Sequence, residues 1–243
     1  MRTFTSFPEN LIRAKFIERP NRFIVKCHIE ESNELAEAHL PDPGRLLELL
    51  VPDTVIYLSK SDDPKRKTKY SAVIIEREDG AGFVSVNTIM PNKLAELAVK
   101  NRVLDSLKDW NYIRSEFTKG KSRWDMLLSS NDGRQMAVEV KGVSLAEEGK
   151  GLFPDAVTKR GAKHVRELAE ITLEDNWESA LIFVTQRSDI ASVSPAEHID
   201  PEFAAALSEA DKAGVHLLGL RSEVTLRGME IVEEIPVSSK SDQ

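Results

Sequence analysis

Hydrophobic and polar residues alternate in short runs along the first third of the chain. Alternation with a period of two is typical of strands that bury one face. Turn residues separate the runs, notably Pro20-Asn21, Asp79-Gly80 and residues 41–44. Six runs have this character: LIRAKFIER, NRFIVKCHI, ELAEAHL, TVIYLS, YSAVIIERE and GFVSVN. The pattern predicts a small all-β barrel or sandwich over residues 11–87, interrupted by one short helix over residues 45–50.

The pattern changes after residue 87 to helices that alternate with apolar strands. Helical spacing of apolar residues is found at residues 94–107, 156–173 and 201–213. Strands are predicted at YIRSEF, SRWDMLLS, QMAVEVKGVSL, SALIFVT and VHLLGL, followed by a hairpin at VTLRGMEIVEE and a frayed tail over residues 238–243. This alternation predicts an α/β core, so that the whole chain is of the α+β class. No linker marks the boundary, which we place within residues 82–91.

The composition is that of a globular protein with sizeable cores. The chain has 243 residues, of which 41% are hydrophobic, and this length accommodates one or two domains. Its formal net charge of −7 gives no overall attraction to nucleic acid or acidic lipid, so any polyanion must bind to local basic patches. The single cysteine, Cys27, excludes an intramolecular disulfide and is expected in the core. Neither a secretory signal nor a membrane-spanning run is evident, and we expect a cytoplasmic protein without a membrane partner.

Two charged residues interrupt MAVEVKGVSL, a run that is otherwise typical of a buried strand. Glu139 and Lys141 are two positions apart and therefore share one face of the strand. A buried charge is costly unless it is paired or bound to something. Asp125 lies in the preceding strand, SRWDMLLS, and a short turn around residues 131–133 should pair the two strands. The pattern therefore predicts that Asp125 and Glu139 come together.

A pair of carboxylates at this position suggests a divalent cation. Two carboxylates at close range raise each other's pKa unless a cation separates them. Mg²⁺ or Mn²⁺ binds through one or two carboxylates while keeping several waters. We expect Asp125 and Glu139 to be metal ligands, and Lys141 to orient a water or stabilise developing negative charge, as in phosphodiester hydrolysis. The alternative interpretation is an exposed cross-strand ion pair beside an unrelated aspartate.

The order of these elements is that of the PD-(D/E)XK nuclease core: helix, strand, strand with Asp, strand with Glu-x-Lys, helix, strand. The sequence also resembles the sugar fermentation stimulation protein A (SfsA) family over nearly its whole length. The matching segments are Asn21-Arg22-Phe23, HLPDPGRL, DPKRKTKY, VNTIMPNKL, SRWD, VEVKGVSL, FPDAVTKRGAKHVREL and VTQRSD. Many long matches in one order are far more specific than the three charged residues alone.

This resemblance implies a fold and an activity. It implies an amino-terminal OB-like β-barrel over residues 1–84, followed over residues 85–243 by a restriction-endonuclease-like mixed sheet flanked by helices. It also implies nucleic-acid binding and an Mg²⁺-dependent nuclease site, whose acidic and basic positions fall on Asp125, Glu139 and Lys141. All three required residue types are present in this chain.

Three further residues bear on the predicted site: Trp124, Glu96 and His164. Trp124 stands where an aliphatic residue is expected in many relatives, a change that should affect packing more than catalysis. Glu96, on the first helix of the core, is a candidate ligand for the metal or a water, or else a solvated side chain. His164 is expected to be packed or to contact phosphate rather than to act as a general base, because the metal already supplies activated water.

Three groups of basic residues are candidates for binding a nucleic-acid backbone. They are Lys65, Arg66 and Lys67 in a loop of the barrel, Lys159, Lys163 and Arg166 as one stripe of the helix after the Glu-x-Lys strand, and Arg13, Arg22 and Arg45 elsewhere in the barrel. Arg45 has the best case in the barrel, because it should open a short helix whose amide groups attract phosphate. A flexible solvated loop is the alternative for the first group. Aromatic residues make up only 6% of the chain, so we expect backbone-dominated, weakly sequence-selective and strongly salt-dependent binding. As the partner we expect DNA rather than RNA.

Two other functions stay open at this point. One is a nucleic-acid-binding regulator, for example of sugar metabolism genes, that keeps a nuclease scaffold without using it. The other is an enzyme of sugar metabolism, which has no sequence feature behind it beyond the family name. A homodimer is possible, and the sequence does not distinguish single from double strands, internal from terminal cleavage, or one metal ion from two.

Overall fold

The computed structural model describes residues 3–241, which form three β-sheets and three α-helices. The strands of the amino-terminal part are β1 (Phe4–Ser6), β2 (Ile12–Asn21), β3 (Ile24–Ile29), β4 (Glu34–His39), β5 (Val55–Lys60), β6 (Tyr70–Glu76) and β7 (Phe83–Ser85). The remaining strands are β8 (Trp110–Lys119), β9 (Ser122–Ser130), β10 (Gln135–Val143), β11 (Leu145–Glu147), β12 (Lys150–Phe153), β13 (Trp177–Thr185), β14 (Ser192–Pro195), β15 (His216–Thr225) and β16 (Gly228–Ile235). The helices are α1 (Met90–Lys100), α2 (Lys159–Thr172) and α3 (Pro201–Ala213), together with a 3₁₀ turn at Asp105–Leu107.

Strands β2 to β6 form a closed barrel, to which β7 adds an edge strand. The sheet order is β4-β3-β2-β5-β6-β7, and a parallel pairing of β4 with β6 closes it. Alternate side chains point inward, as the period of two requires, and Phe16, Val25, Cys27 and Ile56 are buried together. Burial raises the pKa of the Cys27 thiol to about 12, so this cysteine is an inert core residue. The predicted barrel is confirmed.

Residues 45–50 form a turn, so the short helix predicted there is wrong. Leu46 has a φ of +50°, a left-handed conformation that does not continue a helix. Its side chain is buried in the barrel core, and the amides of Leu49 and Leu50 both donate to its carbonyl. Burial of Leu46 therefore sets the local backbone, and Arg45 does not open a helix whose amides could attract phosphate.

The carboxyl-terminal part contains a seven-stranded mixed sheet between helices. Its order is β1-β16-β15-β13-β10-β9-β8, with β10, β13 and β15 parallel at the centre. Helix α1 packs on one face, while α2 and α3 pack on the other. The predicted sheet flanked by helices is confirmed. Strand β1 pairs with β16, which brings the first described strand of the chain into this sheet, a pairing that the sequence pattern did not predict.

The helices begin and end at residues that physical signals explain. The predicted helix over residues 94–107 is in fact Met90–Lys100, because Pro91 suits a first helical turn and Arg102, with a φ of +54°, ends the helical backbone. Helix α2 begins after Thr158, whose hydroxyl accepts a hydrogen bond from the amide of Gly161 at 3.0 Å.

Several short pairings were not visible in the sequence. Strands β11, β12 and β14 form a small separate sheet, and each has only three or four residues, too few for a period to show. The predicted hairpin is confirmed, although VHLLGL and the first half of the hairpin form one strand, β15. The predicted frayed tail begins with Ser238, whose amide donates to the Val193 carbonyl at 2.8 Å, and residues 242–243 of that tail lie outside the described residues.

The barrel is joined to the large sheet at the carboxyl end of β13. The Ser85 amide donates to the Gln186 carbonyl at 2.8 Å. Arg77 of the barrel approaches Asp189 at 3.1 Å, and buried Arg187 binds the same carboxylate at 2.7 Å. These contacts fix the barrel beside strands β10 and β13. None of the helices within residues 3–241 is long and apolar enough to cross a membrane.

Candidate active site

Asp125 and Glu139 lie near each other on adjacent strands, β9 and β10. The paired register of β9 and β10 ends with Ala137 opposite Leu127 and Val138 opposite Met126, and beyond it the Asp125 carboxylate accepts a hydrogen bond from the amide of Val140, the residue after Glu139. This hydrogen bond holds Asp125 beside Glu139, whose charge acts on it. The turn predicted around residues 131–133 connects the two strands, with Gly133 at a φ of +91°. The structure thus brings together the two carboxylates of the predicted site.

Asp125 is held by donors from two different elements. The Val140 amide donates to Oδ2 at 2.7 Å, and Asn92 of helix α1 donates to Oδ1 at 2.6 Å. Burial and then the charge of Glu139 raise the pKa of Asp125 to about 6, against the lowering effect of these hydrogen bonds. Each oxygen accepts one hydrogen bond, which leaves a second lone pair on each for another partner.

Glu139 is buried and carries two partners on one oxygen. Its Oε1 accepts from Lys141 Nζ at 2.5 Å and faces His164 Nδ1 at 2.8 Å. Burial alone would raise the pKa of Glu139, but His164 and Lys141 outweigh it and hold that pKa below its usual value. The charge that the sequence placed in an apolar strand is therefore paired, and its pairing concentrates on Oε1.

The buried side chain of His164, on helix α2, contacts Glu139 and packs against Trp124. Its ring centroid lies 5.5 Å from that of Trp124, which is itself buried and donates from Nε1 to the Lys119 carbonyl at 3.3 Å. His164 is a packed residue, and its contact with Glu139 was not predicted. In the sequence, the only indication that His164 is buried was its position between the apolar residues Ala162 and Val165, which are both buried in the same helix.

Asn92 was also missed, and Glu96 has other partners. Asn92 lies in the first turn of α1, and nothing in the sequence marks it as a neighbour of a residue on β9. Glu96 accepts from Ser115 Oγ at 2.5 Å and forms an ion pair with Lys100. Among the described contacts, Glu96 therefore belongs to a surface network on α1 and β8 rather than to the Asp125 and Glu139 pair.

The donors suit a hard divalent cation held by few protein ligands. Within residues 3–241, no group of three or more His, Cys, Asp and Glu side chains is arranged to hold a metal ion. Residues 3–241 therefore contain no metal site whose ligands all come from protein side chains. Mg²⁺, however, is usually bound through one or two carboxylates with waters completing its octahedron. Burial and then the charge of Glu139 raise the pKa of Asp125, and a bound cation would favour the ionised form by offsetting the repulsion between the two carboxylates.

The three basic residues of helix α2 that were predicted to bind a nucleic-acid backbone have different surroundings. Arg166 forms ion pairs with Glu202 at 3.0 Å and Glu209 at 3.3 Å on helix α3. Lys163 lies 3.5 Å from Glu167, one turn along the same helix. Lys159 is exposed at the start of the helix and lines a cleft against the barrel. Of the three cations, Lys159 faces the barrel most directly.

The basic residues of the barrel are exposed, with different partners. Arg13 forms an ion pair with Glu30. Arg22 donates from Nε to the Pro43 carbonyl at 2.8 Å and lines the same cleft as Lys159. Arg45 is exposed nearby. The loop between β5 and β6 presents the three exposed cations predicted to bind the backbone, Lys65, Arg66 and Lys67, and exposed Lys69 as a fourth. Arg66 donates to Ser71 Oγ at 2.6 Å.

Comparison with known proteins gives one consistent result. Residues 17–86 match the family described as the SfsA N-terminal OB domain, and residues 89–228 match the sugar fermentation stimulation protein RE domain. The chain is 44% identical over 227 residues to a sugar fermentation stimulation protein homolog of Shouchella clausii, which covers 93% of this chain and 97% of that protein. It is 36% identical to the homolog of Clostridium novyi, over 94% of this chain and 97% of that protein.

A solved structure agrees with these relatives. Pyrococcus furiosus SfsA in complex with Ca²⁺ superimposes with a TM-score of 0.85 at 26% identity, covering 98% of this chain and 99% of that one. The resemblance noted in the sequence is therefore confirmed, and this chain belongs to the SfsA family.

Proposed function

We propose that this protein binds DNA and hydrolyses its phosphodiester bonds in a reaction that depends on a divalent metal ion. The observation that carries the proposal is the proximity of Asp125 and Glu139 on adjacent strands, where Asp125 accepts from the Val140 amide at 2.7 Å and Lys141 Nζ lies 2.5 Å from Glu139. The Ca²⁺ complex of the Pyrococcus furiosus relative supports a divalent cation as the cofactor.

In this proposal Asp125 and Glu139 would hold Mg²⁺ or Mn²⁺. The ion, when bound, would lower the pKa of a coordinated water and neutralise charge on a phosphoryl oxygen. Asn92 and the Val140 amide orient Asp125, while His164 fixes Glu139 through Oε1. Lys141 has its ammonium at the edge of this pair, where it stabilises negative charge that develops on the phosphate.

The nucleic acid would extend from this site over the barrel. The proposed backbone contacts are those expected from the sequence: Arg13, Arg22, Arg45, Lys65, Arg66, Lys67, Lys159, Lys163 and Arg166. The ion pairs of Arg13, Lys163 and Arg166 have to open or be shared for these three residues to contribute, so we rank Arg22 and Lys159 above them. Residues 1–84 and 85–243 are the proposed binding and catalytic domains.

A labelled oligonucleotide incubated with Mg²⁺ or Mn²⁺ tests the activity. Glu139→Ala and Lys141→Ala should abolish cleavage while leaving binding largely intact. The matched control removes a surface ion pair of the same chemistry, Lys119 with Glu174 at 2.7 Å, and should leave cleavage unchanged. If the wild-type protein cuts neither DNA nor RNA with any divalent metal, the proposal is wrong.

One observation favours a second function, a DNA-binding regulator without catalysis. Glu139 already has two cationic or hydrogen-bonding partners, as it would in a purely structural cluster. Such a regulator should bind one duplex sequence tightly, with an affinity that alanine at Asp125, Glu139 and Lys141 does not change. Metal-stimulated cleavage that Glu139→Ala abolishes would exclude it.

A further inference from the structure

A cleft of about 420 Å³ separates the barrel from the start of helix α2. Residues 42–44 of the barrel form one wall, and residues 153–160 form the other. Gly142, which follows Lys141 in strand β10, lines the cleft as well. A ligand in this cleft therefore lies next to the proposed catalytic strand.

The mouth of the cleft is basic. Arg22 lines it from the barrel, and Lys159 and Arg160 line it from helix α2, all three with exposed side chains. Within residues 3–241, no acidic partner of Lys159 or Arg160 is described, in contrast to Lys163 and Arg166 one turn further along. Arginine and lysine in such positions bind phosphate through charge-assisted hydrogen bonds.

The two acidic residues in the wall are engaged with the barrel loop. Asp42 Oδ1 accepts from the Gly44 amide at 2.8 Å. Asp155 Oδ2 is buried without a hydrogen-bond partner and packs so closely on Gly44 that an added Cβ there would overlap it. Arg19, behind this loop, donates to the carbonyls of Gly44 and Arg45 at 2.7 Å each. The acids are thus held against the loop, and the charged side chains exposed at the mouth are cations.

We infer that this cleft takes a nucleotide of a single DNA strand and delivers the strand to Lys141, an inference that rests on the proposed function. A volume of about 420 Å³ is in the range that encloses one small ligand. A duplex keeps its bases stacked inside and presents only its grooves, whereas an unpaired strand can turn a base into a pocket and lay its phosphates on cations at the mouth. The substrate class is therefore an unpaired strand, such as a flap or a frayed end.

Binding without metal tests the inference separately from catalysis. Fluorescence anisotropy in EDTA compares a single-stranded oligonucleotide with a hairpin duplex. The variant Lys159→Glu/Arg160→Glu should bind the single strand at least about tenfold more weakly, and its salt slope should fall by about 1.4, the value for two lost phosphate contacts on a single strand. The control Lys108→Glu/Lys212→Glu makes the same charge change at exposed sites outside the cleft and should lose far less.

A second variant fills the cleft without changing its charge. Thr88 is exposed and lines the mouth, so Thr88→Trp should weaken single-strand binding and spare the duplex, with thermal unfolding confirming the fold. The inference is overturned if the charge variant weakens both probes equally, or if Thr88→Trp leaves single-strand binding at the wild-type value. Absence of cleavage by the wild type would refute the nuclease proposal alone, because neither binding result depends on it.

Discussion

His164 Nδ1 lies 2.8 Å from Glu139 Oε1, and both side chains are buried. Helix α2 thus supports a strand residue whose other partner, Lys141, comes from its own strand. Within residues 3–241, the remaining oxygen, Oε2, has no hydrogen-bond partner. It is also not one of the polar atoms that are buried from solvent without such a partner. His164 and Lys141 together orient Glu139 so that Oε2 is the oxygen left for a ligand.

His164→Ala should therefore impair metal binding as well as stability. Loss of an outer partner of a metal ligand typically costs roughly 10–100-fold in metal affinity or activity. Calorimetric titration with Ca²⁺ and the Mg²⁺ dependence of cleavage measure the two effects, and His164→Asn, which keeps a donor, should recover part of both. The control is His216→Ala, which breaks a second histidine–glutamate contact, Nε2 to Glu178 Oε2 at 2.6 Å, away from the site. Equal losses in both alanine variants would refute the positioning role.

The sequence predicted the strands of this site because the anomaly is local. Charges in an apolar run are visible at Glu139 and Lys141, and one short turn determines which strand pairs with theirs. The partners His164 and Asn92 could not be found in the same way, because they come from helices that follow or precede the strands. Their contacts depend on how each helix is rotated on the sheet, and periodicity shows only which side is apolar.

The error at residues 45–50 has a tertiary cause. The side chains there suit a helix, but the barrel core buries Leu46, which adopts a φ of +50°. Arg19 then binds the carbonyls of the preceding residues, Gly44 and Arg45. A residue far away in sequence thus stabilises a backbone that local propensity does not favour.

Asn92→Ala should shift the acid limb of the pH–rate profile to higher pH. The Asn92 hydrogen bond lowers the pKa of Asp125, which burial and Glu139 raise to about 6, so its loss raises that pKa further. An ionised Asp125 is needed for metal binding, and activity should therefore appear at a higher pH. Lys93→Ala, an exposed neighbour in the same helical turn, is the control. An acid limb that stays in place would show that Asn92 does not support Asp125 during the reaction.

Gly44→Ala should destabilise the junction of barrel and sheet through Asp155. The new Cβ would overlap Asp155 Oδ2, and overpacking of this kind costs about 1–3 kcal/mol of unfolding free energy. Asp155→Ala alone should be neutral or stabilising, since Oδ2 is buried without a partner. The double variant should then be more stable than Gly44→Ala, as urea unfolding can measure. Additive effects in that cycle would contradict the contact.

Asp42 should contribute a loss of stability as the pH rises from about 4 to about 6. Burial, and then the charge of Asp155, raise the pKa of Asp42 from 3.8 to about 6. The folded state therefore keeps a proton that the unfolded chain has released, so the stabilising contribution is complete below about pH 4 and is lost as the pH passes about 6. The loss is on the order of 2–3 kcal/mol for this group.

Asp42→Asn removes that titration and keeps an oxygen for the Gly44 amide, so its unfolding free energy should fall less over this range. Asp125, with a pKa also raised to about 6, leaves a residual slope in the variant. Asp62→Asn, in an exposed loop, should retain the wild-type slope. Urea unfolding at a series of pH values measures all three proteins. If Asp42→Asn and the wild type lose stability in parallel, the buried proton is not on Asp42, because no other change separates the two chains.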